Sequence, residues 1–156
     1  MEIFFCKSWF RAKKCPTEMW SEDQAKIAHA QGAAYTVIVG DIDNPYCFLD
    51  VTEKSVGVSF LDRNLRESLL YDFQEIESGK LFLTMATYRE FEGDTDRVVS
   101  GTSYVFFQDG MVATKREFFN PHKIETARSS ADVAGNYSPR PEFGQYSDLI
   151  RVERNQ

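Results

Sequence analysis

Apolar residues alternate with small or polar ones along much of the chain, and the alternation is longest between Leu65 and Phe119. A period of two marks half-buried strands. This stretch reads as four long antiparallel strands in a meander, at 65–76, 80–91, 98–108 and 111–119. Turn chemistry separates them. Glu77-Ser78-Gly79 brings a glycine suited to positive φ, Glu92-Gly93-Asp94-Thr95-Asp96 is a short polar loop, and Asp109-Gly110 suits a two-residue type I′ turn. Shorter strands are expected upstream at 35–41, 46–52 and 55–61, divided by Asp43-Asn44-Pro45 and Glu53-Lys54. In 55–61, Val56, Val58 and Phe60 face one way and Ser55, Gly57 and Ser59 the other. Residues 1–10, with Ile3, Phe4, Phe5, Trp9 and Phe10, read as a first strand.

Two of the long strands are apolar on both faces. In 80–91 the alternation puts Leu81, Leu83, Met85 and Phe91 on one face and Phe82, Ala86 and Tyr88 on the other. In 98–108 it separates Val99, Val105 and Phe107 from Val98, Tyr104 and Phe106. Such strands lie between two layers, or twist past the edge of their cover. The stretch 111–119 is polar in its middle, at Thr114, Lys115, Arg116 and Glu117, as an edge strand should be.

A helix is signalled once. Ser21-Glu22-Asp23-Gln24 fits a capping box, with Ser21 as N-cap and Gln24 three residues on. Glu22 and Asp23 occupy the first turn, where the helix dipole favours acids. Ala25, Ala28 and Gly32 share a face of small residues that can lie close on a sheet, and Gly32 suits the C-terminal cap. After Asn120 the pattern weakens. Residues 127–135 are small and polar and read as loop. Residues 136–146 hold two prolines and three aromatics and read as an extended segment along the sheet, and 147–152 as a short helix or strand.

The expected fold is therefore one α+β domain over 1–156. It consists of a strand plus helix over 1–33, an antiparallel meander over 34–119 and an extended C-terminal segment over 120–156. Six to eight strands are expected to curl over the helix as a cone or partly open barrel. In architecture this resembles cystatin-like and nuclear transport factor 2-like cones or lipocalin-like barrels.

Charge and cysteine content narrow the function. The net charge is −6, so the average field repels nucleic acid. Lys7, Arg11, Lys13 and Lys14, interleaved with Trp9 and Phe10, read as solvated charges on a half-buried strand. Three cysteines, Cys6, Cys15 and Cys47, make an odd count that suits a reducing cytoplasm. Residues 1–6 lack the basic start of a signal peptide, and no apolar run reaches membrane-spanning length. Zinc spacing, a phosphate-cradling glycine loop and a nucleophile elbow are all missing from the sequence. His29 and His122 have no chemical partner at a short spacing. No catalytic residue, metal site or cofactor is assigned.

Carboxylates are richer. Glu75 and Glu77 sit at one expected turn, and Glu92, Asp94 and Asp96 at another. Between Leu61 and Phe119 eleven acids face seven bases, so the meander holds most of the negative excess. Such turns can steer a basic protein partner, with Tyr137, Phe143 and Tyr146 of the C-terminal segment as aromatic anchors. In size, acidity, compartment and lack of catalytic motif the chain resembles bacterial immunity proteins, a likeness of class rather than of motif. That resemblance implies a non-catalytic, cytoplasmic module that neutralises a cognate basic toxin domain. The alternative is a binder of a small hydrophobic ligand, with Phe82, Tyr88, Tyr104 and Phe106 lining its cavity.

Overall fold

The computed structural model describes residues 1–154, and the last two positions of the 120–156 segment lie outside the described residues. The elements in chain order are β1 (Ile3–Cys6), β2 (Trp9–Phe10), β3 (Cys15–Pro16), β4 (Met19–Trp20), α1 (Glu22–Gln31), β5 (Tyr35–Gly40), β6 (Pro45–Val51) and β7 (Ser55–Leu61). Then come β8 (Glu67–Glu77), β9 (Lys80–Phe91), β10 (Val98–Phe106), β11 (Met111–Phe119), β12 (His122–Ser130), a 3-10 turn at Ala134–Asn136 and β13 (Tyr137–Pro139).

Strands β5 to β12 follow one another as an antiparallel meander. Strand β1 pairs with β5, and β4 with β1, so the main sheet runs from β4 at one edge to β12 at the other. With β13, which joins at β9, it has eleven strands, and β2 and β3 form a separate ribbon. The α+β meander stands. Two finer expectations are corrected: among the described residues the strands number thirteen rather than six to eight, and the sheet is open. Closure into a barrel would need β12 to pair with β4, and among the described residues these two edge strands do not pair.

Helix α1 starts as its residues dictate. The Ser21 hydroxyl accepts from the Gln24 amide at 3.2 Å, and the Gln24 side chain accepts from the Ser21 amide at 2.9 Å. At the other end Gly32 adopts φ +70. Buried Ala25 and Ala28 set the helix close against one face of the sheet. On that face it joins Tyr35, Val37, Leu49, Val58, Tyr71 and Phe73 in the main core. The C-terminal segment completes the cover with Tyr146 and Leu149. Arg154 lies over the Phe73 ring, and the Tyr71 hydroxyl donates to the Val152 carbonyl. On the opposite face, the β2–β3 ribbon lays Trp9 flat on Phe48, beside Cys6 and Ile38. Fully burying a side chain of Leu, Val or Phe size contributes about 1.5–3 kcal/mol, so the two-sided cover accounts for the stability of this half of the sheet.

Several local expectations change. The first strand is split, because the chain turns after Cys6 to build the ribbon. Residues 108–110 form a three-residue loop between Phe107 and Met111 rather than a type I′ turn. The Gly110 amide donates to Phe107 and only Gly110 takes positive φ. Strand β11 is not an edge, since residues 122–130 form β12 beside it, including 127–130, which read as loop. Residues 147–152 form turns rather than a regular element.

A bulge in β9 alters the faces. Met85 pairs with Asp72 but Leu83 pairs with Phe73, so one extra residue, Thr84, is inserted. Leu81 and Leu83 therefore join Ala86 in the main core, while Phe82 faces the other way. The same strand forks laterally. Its second half, from Met85 onward, pairs with β10, and its start, Lys80–Phe82, pairs with β13. Strands β10 to β12 thus leave the covered sheet as a three-stranded wing.

Candidate protein-docking surface

The wing is built from two uninterrupted ladders. Strands β10 and β11 pair over seven positions from Ser100–Phe118 to Phe106–Val112, and β11 and β12 over nine from Met111–Ser130 to Phe119–His122. The hairpins that close them are tight. One is the 108–110 loop, and the other is a two-residue connection through a cis Asn120–Pro121 bond. All nine residues of β12 are exposed, and among the described residues no strand pairs with its outer edge. Its outward backbone groups are a template for another strand.

Side chains on both faces of the wing are apolar and only partly covered. One face carries Tyr88, Tyr104, Phe118 and Phe106. The rings of Tyr88 and Tyr104 meet edge to face at 5.9 Å, and Phe106 reaches the main core. The other face carries Phe119 and Ile124, exposed to 45% and 47%, with Val98 and Val105. Gly101, in line with Arg89, Glu117 and Ile124, has no side chain and leaves a dimple on this second face. Its volume is about 210 Å³, and it is lined by Thr87, Arg89, Val98, Ser103, Lys115 and Phe119. The wing is charged but not acidic, with four bases (Lys115, Arg116, Lys123, Arg128) against three acids (Asp109, Glu117, Glu125). Glu117 holds His122 at 2.9 Å and Lys115 at 3.9 Å.

The residues singled out from sequence as partner contacts lie elsewhere. Glu75 and Glu77 end β8, where Glu75 accepts from the Gly79 amide and Glu77 pairs with Lys80 at 3.5 Å. Glu92, Asp94 and Asp96 are at the far end of the β8–β9 hairpin, roughly 40 Å away at the ordinary strand rise. There Glu92 pairs with Arg97 at 3.5 Å, Asp96 with Lys14 at 2.7 Å, and Asp94 accepts from Asn64. Arg66 donates to the carbonyls of Gly93 and Thr95 and lies over Phe91. The acidic turns are therefore two separated groups, each tied to bases of its own chain.

The three aromatic anchors of the C-terminal segment turn inward. Tyr146 is 4% exposed, and its hydroxyl is 2.8 Å from that of Tyr35, which is 2.8 Å from His29 Nδ1. Burial, then the Arg140 guanidinium, holds the His29 pKa below its ordinary value; burial first pushes the Tyr35 and Tyr146 hydroxyls up. Phe143 stacks on Phe5 at 5.1 Å, and Tyr137 lies against Phe82 and under the Lys80 ammonium. This His-Tyr-Tyr chain ties the C-terminal segment to α1 and β5. Nor do the four rings proposed for a cavity converge, because the β9 bulge turns Phe82 away from Tyr88, Tyr104 and Phe106.

A second cluster lies where the ribbon meets the β9–β10 loop. Arg11 reaches Glu67 at 3.1 Å and Asp50 at 3.3 Å, and Arg66 binds Asp62 at 2.8 Å. Arg11, Arg66 and Glu67, with Lys14, Leu65 and Arg89, line a cleft of about 230 Å³. Lys14 and Leu65 hold φ of +53 and +58, which non-glycine residues adopt only under local constraint. Arg11, Lys14 and Arg66 each have an opposite charge within 3.3 Å, so the network serves to fasten loops. Cys6 and Cys47 are buried, with thiols pushed up to about 11 and about 12 by burial first. Such thiols are poor nucleophiles at neutral pH. Among the described residues, no three His, Cys, Asp or Glu side chains gather as a metal centre requires, and no helix is long and apolar enough to cross a membrane.

The sequence held little sign of Ile124 or of β12 as a docking element. A strand wet on both faces has no apolar stripe to reveal it. Only Ile124 and Ala127 are apolar in His122–Ser130, and the Lys-Ile-Glu-Thr run at 123–126 was the available signal. Comparison with protein-family models, curated proteins and solved structures found no match for this chain.

Proposed function

We propose that the protein is a non-catalytic protein-binding module that docks through the β10–β12 wing. The observation that carries this reading is the exposed outer strand β12, continuous with a single-layer sheet that bears apolar side chains on both faces. An unpaired edge offers main-chain hydrogen bonds, and side chains such as Ile124 and Phe119 offer contact area beside them. Recognition there is by strand pairing and shape, because the wing has nearly balanced charge. The turns that hold the negative excess are engaged within the chain and support a basic partner less.

Toxin neutralisation is the particular form of this reading that the class resemblance suggests. A small-molecule function has less support, since the clefts among the described residues hold about 210–310 Å³, at or below the low end of the usual range for ligand sites. The test is co-expression with the product of the adjacent upstream gene, tagged for purification. The wild-type chain is expected to co-purify, and Ile124→Asp and Phe119→Asp to be lost while melting like wild type. Equal co-purification of both variants would remove the wing from the interface. Failure of the wild-type chain to co-purify would count against the neutralisation form.

A further inference from the structure

The wing edge also fits one specific partner. We infer that β12 pairs antiparallel with β12 of a second copy about a two-fold axis at Ile124, deepening the docking reading above by naming its partner.

The argument is one of register. In an isologous continuous sheet, a two-fold axis perpendicular to the sheet keeps each side chain on its own face, so only residues of like facing stand opposite. With Ile124 opposite Ile124, Lys123 of each copy faces Glu125 of the other, twice by symmetry, and His122 faces Thr126. Sliding one strand by two residues sets Glu125 against Glu125 in one direction and Lys123 against Lys123 in the other. A slide of four residues that moves the axis to Thr126 puts Ile124 opposite Arg128 and Glu125 opposite Ala127, with no pair of opposite charges. Only the Ile124 register pairs both charges.

The flanking strands extend the match. Within the chain Glu125 stands beside Arg116, and Lys123 beside Phe118, on one face. In the paired sheet each Glu125 then lies between its own Arg116 and Lys123 of the second copy. On the other face the two Ile124 side chains, each now 47% exposed, cover one another at the axis. Charges of this kind keep an edge apart from strands lacking the countercharge. Toward a copy in this register the same charges attract. The Lys123–Glu125 pair now spans 3.8 Å along one strand with both side chains solvent-exposed, so it costs little to exchange for the cross-strand pairs.

The test is sedimentation over about two decades of concentration. The wild-type mass should rise from the monomer's 17.9 kDa toward twice that value. Lys123→Glu and Glu125→Lys each place two like-charged pairs in the interface, which should weaken self-association at least about tenfold. Mixing these two variants should restore association, because every pair is then opposite in sign, and the double variant K123E/E125K should associate like wild type. Ile124→Cys, in a chain carrying Cys15→Ser, should oxidise to a covalent dimer, since paired Cα atoms at the axis lie about 4.5–5.5 Å apart. All four positions are exposed or partly exposed, and equal melting temperatures confirm that the variants fold. A wild-type chain that stays monomeric, or single-charge variants that associate like wild type, would overturn the inference. A monomer that still binds the upstream gene product through Ile124 would do so while leaving the docking function standing.

Discussion

Leu149 lies in a stretch of turns near the end of the chain, yet is 1% exposed and belongs to the main core with Tyr35, Tyr71 and Phe73. Replacing it by alanine removes three carbons. At about 0.8 kcal/mol for each buried methylene, the transfer loss is roughly 2.4 kcal/mol. The cavity left behind adds to that, because the sheet and α1 on either side are held by ladders and caps that cannot close inward, giving about 3–4 kcal/mol in total. In a chain of this length each kcal/mol moves the melting temperature by about 2–4 °C, so a fall of roughly 6–16 °C is expected. Urea unfolding followed by tryptophan fluorescence reads the same loss as a lower midpoint at unchanged slope. Trp9 sits on the far face of the sheet from Leu149, so its signal reports the whole domain. A loss below about 1 kcal/mol would refute the reasoning, because the C-terminal segment would then be a dispensable cover and not part of one cooperative core.

Gly110→Ala should destabilise by about 1–3 kcal/mol, because its φ is +94 and a Cβ there would meet the Ala131 carbonyl at 2.9 Å. Gly93→Ala, at φ +53 with nothing nearby, should cost less, and equal losses by thermal melting would contradict the clash. Ser21→Ala should cost about 1 kcal/mol by removing the cap on the Gln24 amide, read as lost helical ellipticity and a lower melting temperature. His29 predicts a pH dependence. Its folded pKa lies below the ordinary 6.5, so the unfolded chain takes up the proton first, and stability is lost as pH falls below 6.5. The stability gap between wild type and His29→Gln should therefore narrow from pH 7 to pH 5, and parallel curves would show that the ring does not titrate in this way.

Much of the architecture was legible in the sequence where the signal was local. Ser21 and Gln24 face each other across one helical turn, so the capping box needed nothing from the rest of the chain. Strands β5, β6, β7, β9 and β11 were marked by strand-forming residues and by glycine, proline or acidic turns within a few residues of their ends. The candidate docking surface was not legible in the same way. Strand β12 has no buried face, hence no apolar period, and became a strand only because β11 offered an edge. The acidic turns were visible as charges, but Lys14 and Arg66 that engage one of them come from distant loops.

Alternation also misassigned Phe82, since one bulge residue, Thr84, reverses the facing of everything before it and is fixed by pairing with β8. Tyr146 and Phe143 read as surface anchors because proline-rich segments are usually extended and outside. Their burial depends on the room that small Ala25 and Ala28 leave between helix and sheet. The chain by itself thus determined its short-range pieces, whose free energies come from neighbours in sequence. Which sheet edge stayed open, which face each ring took and where the wing left its cover were decided by contacts between residues far apart along the chain. Only the folded arrangement brings those together.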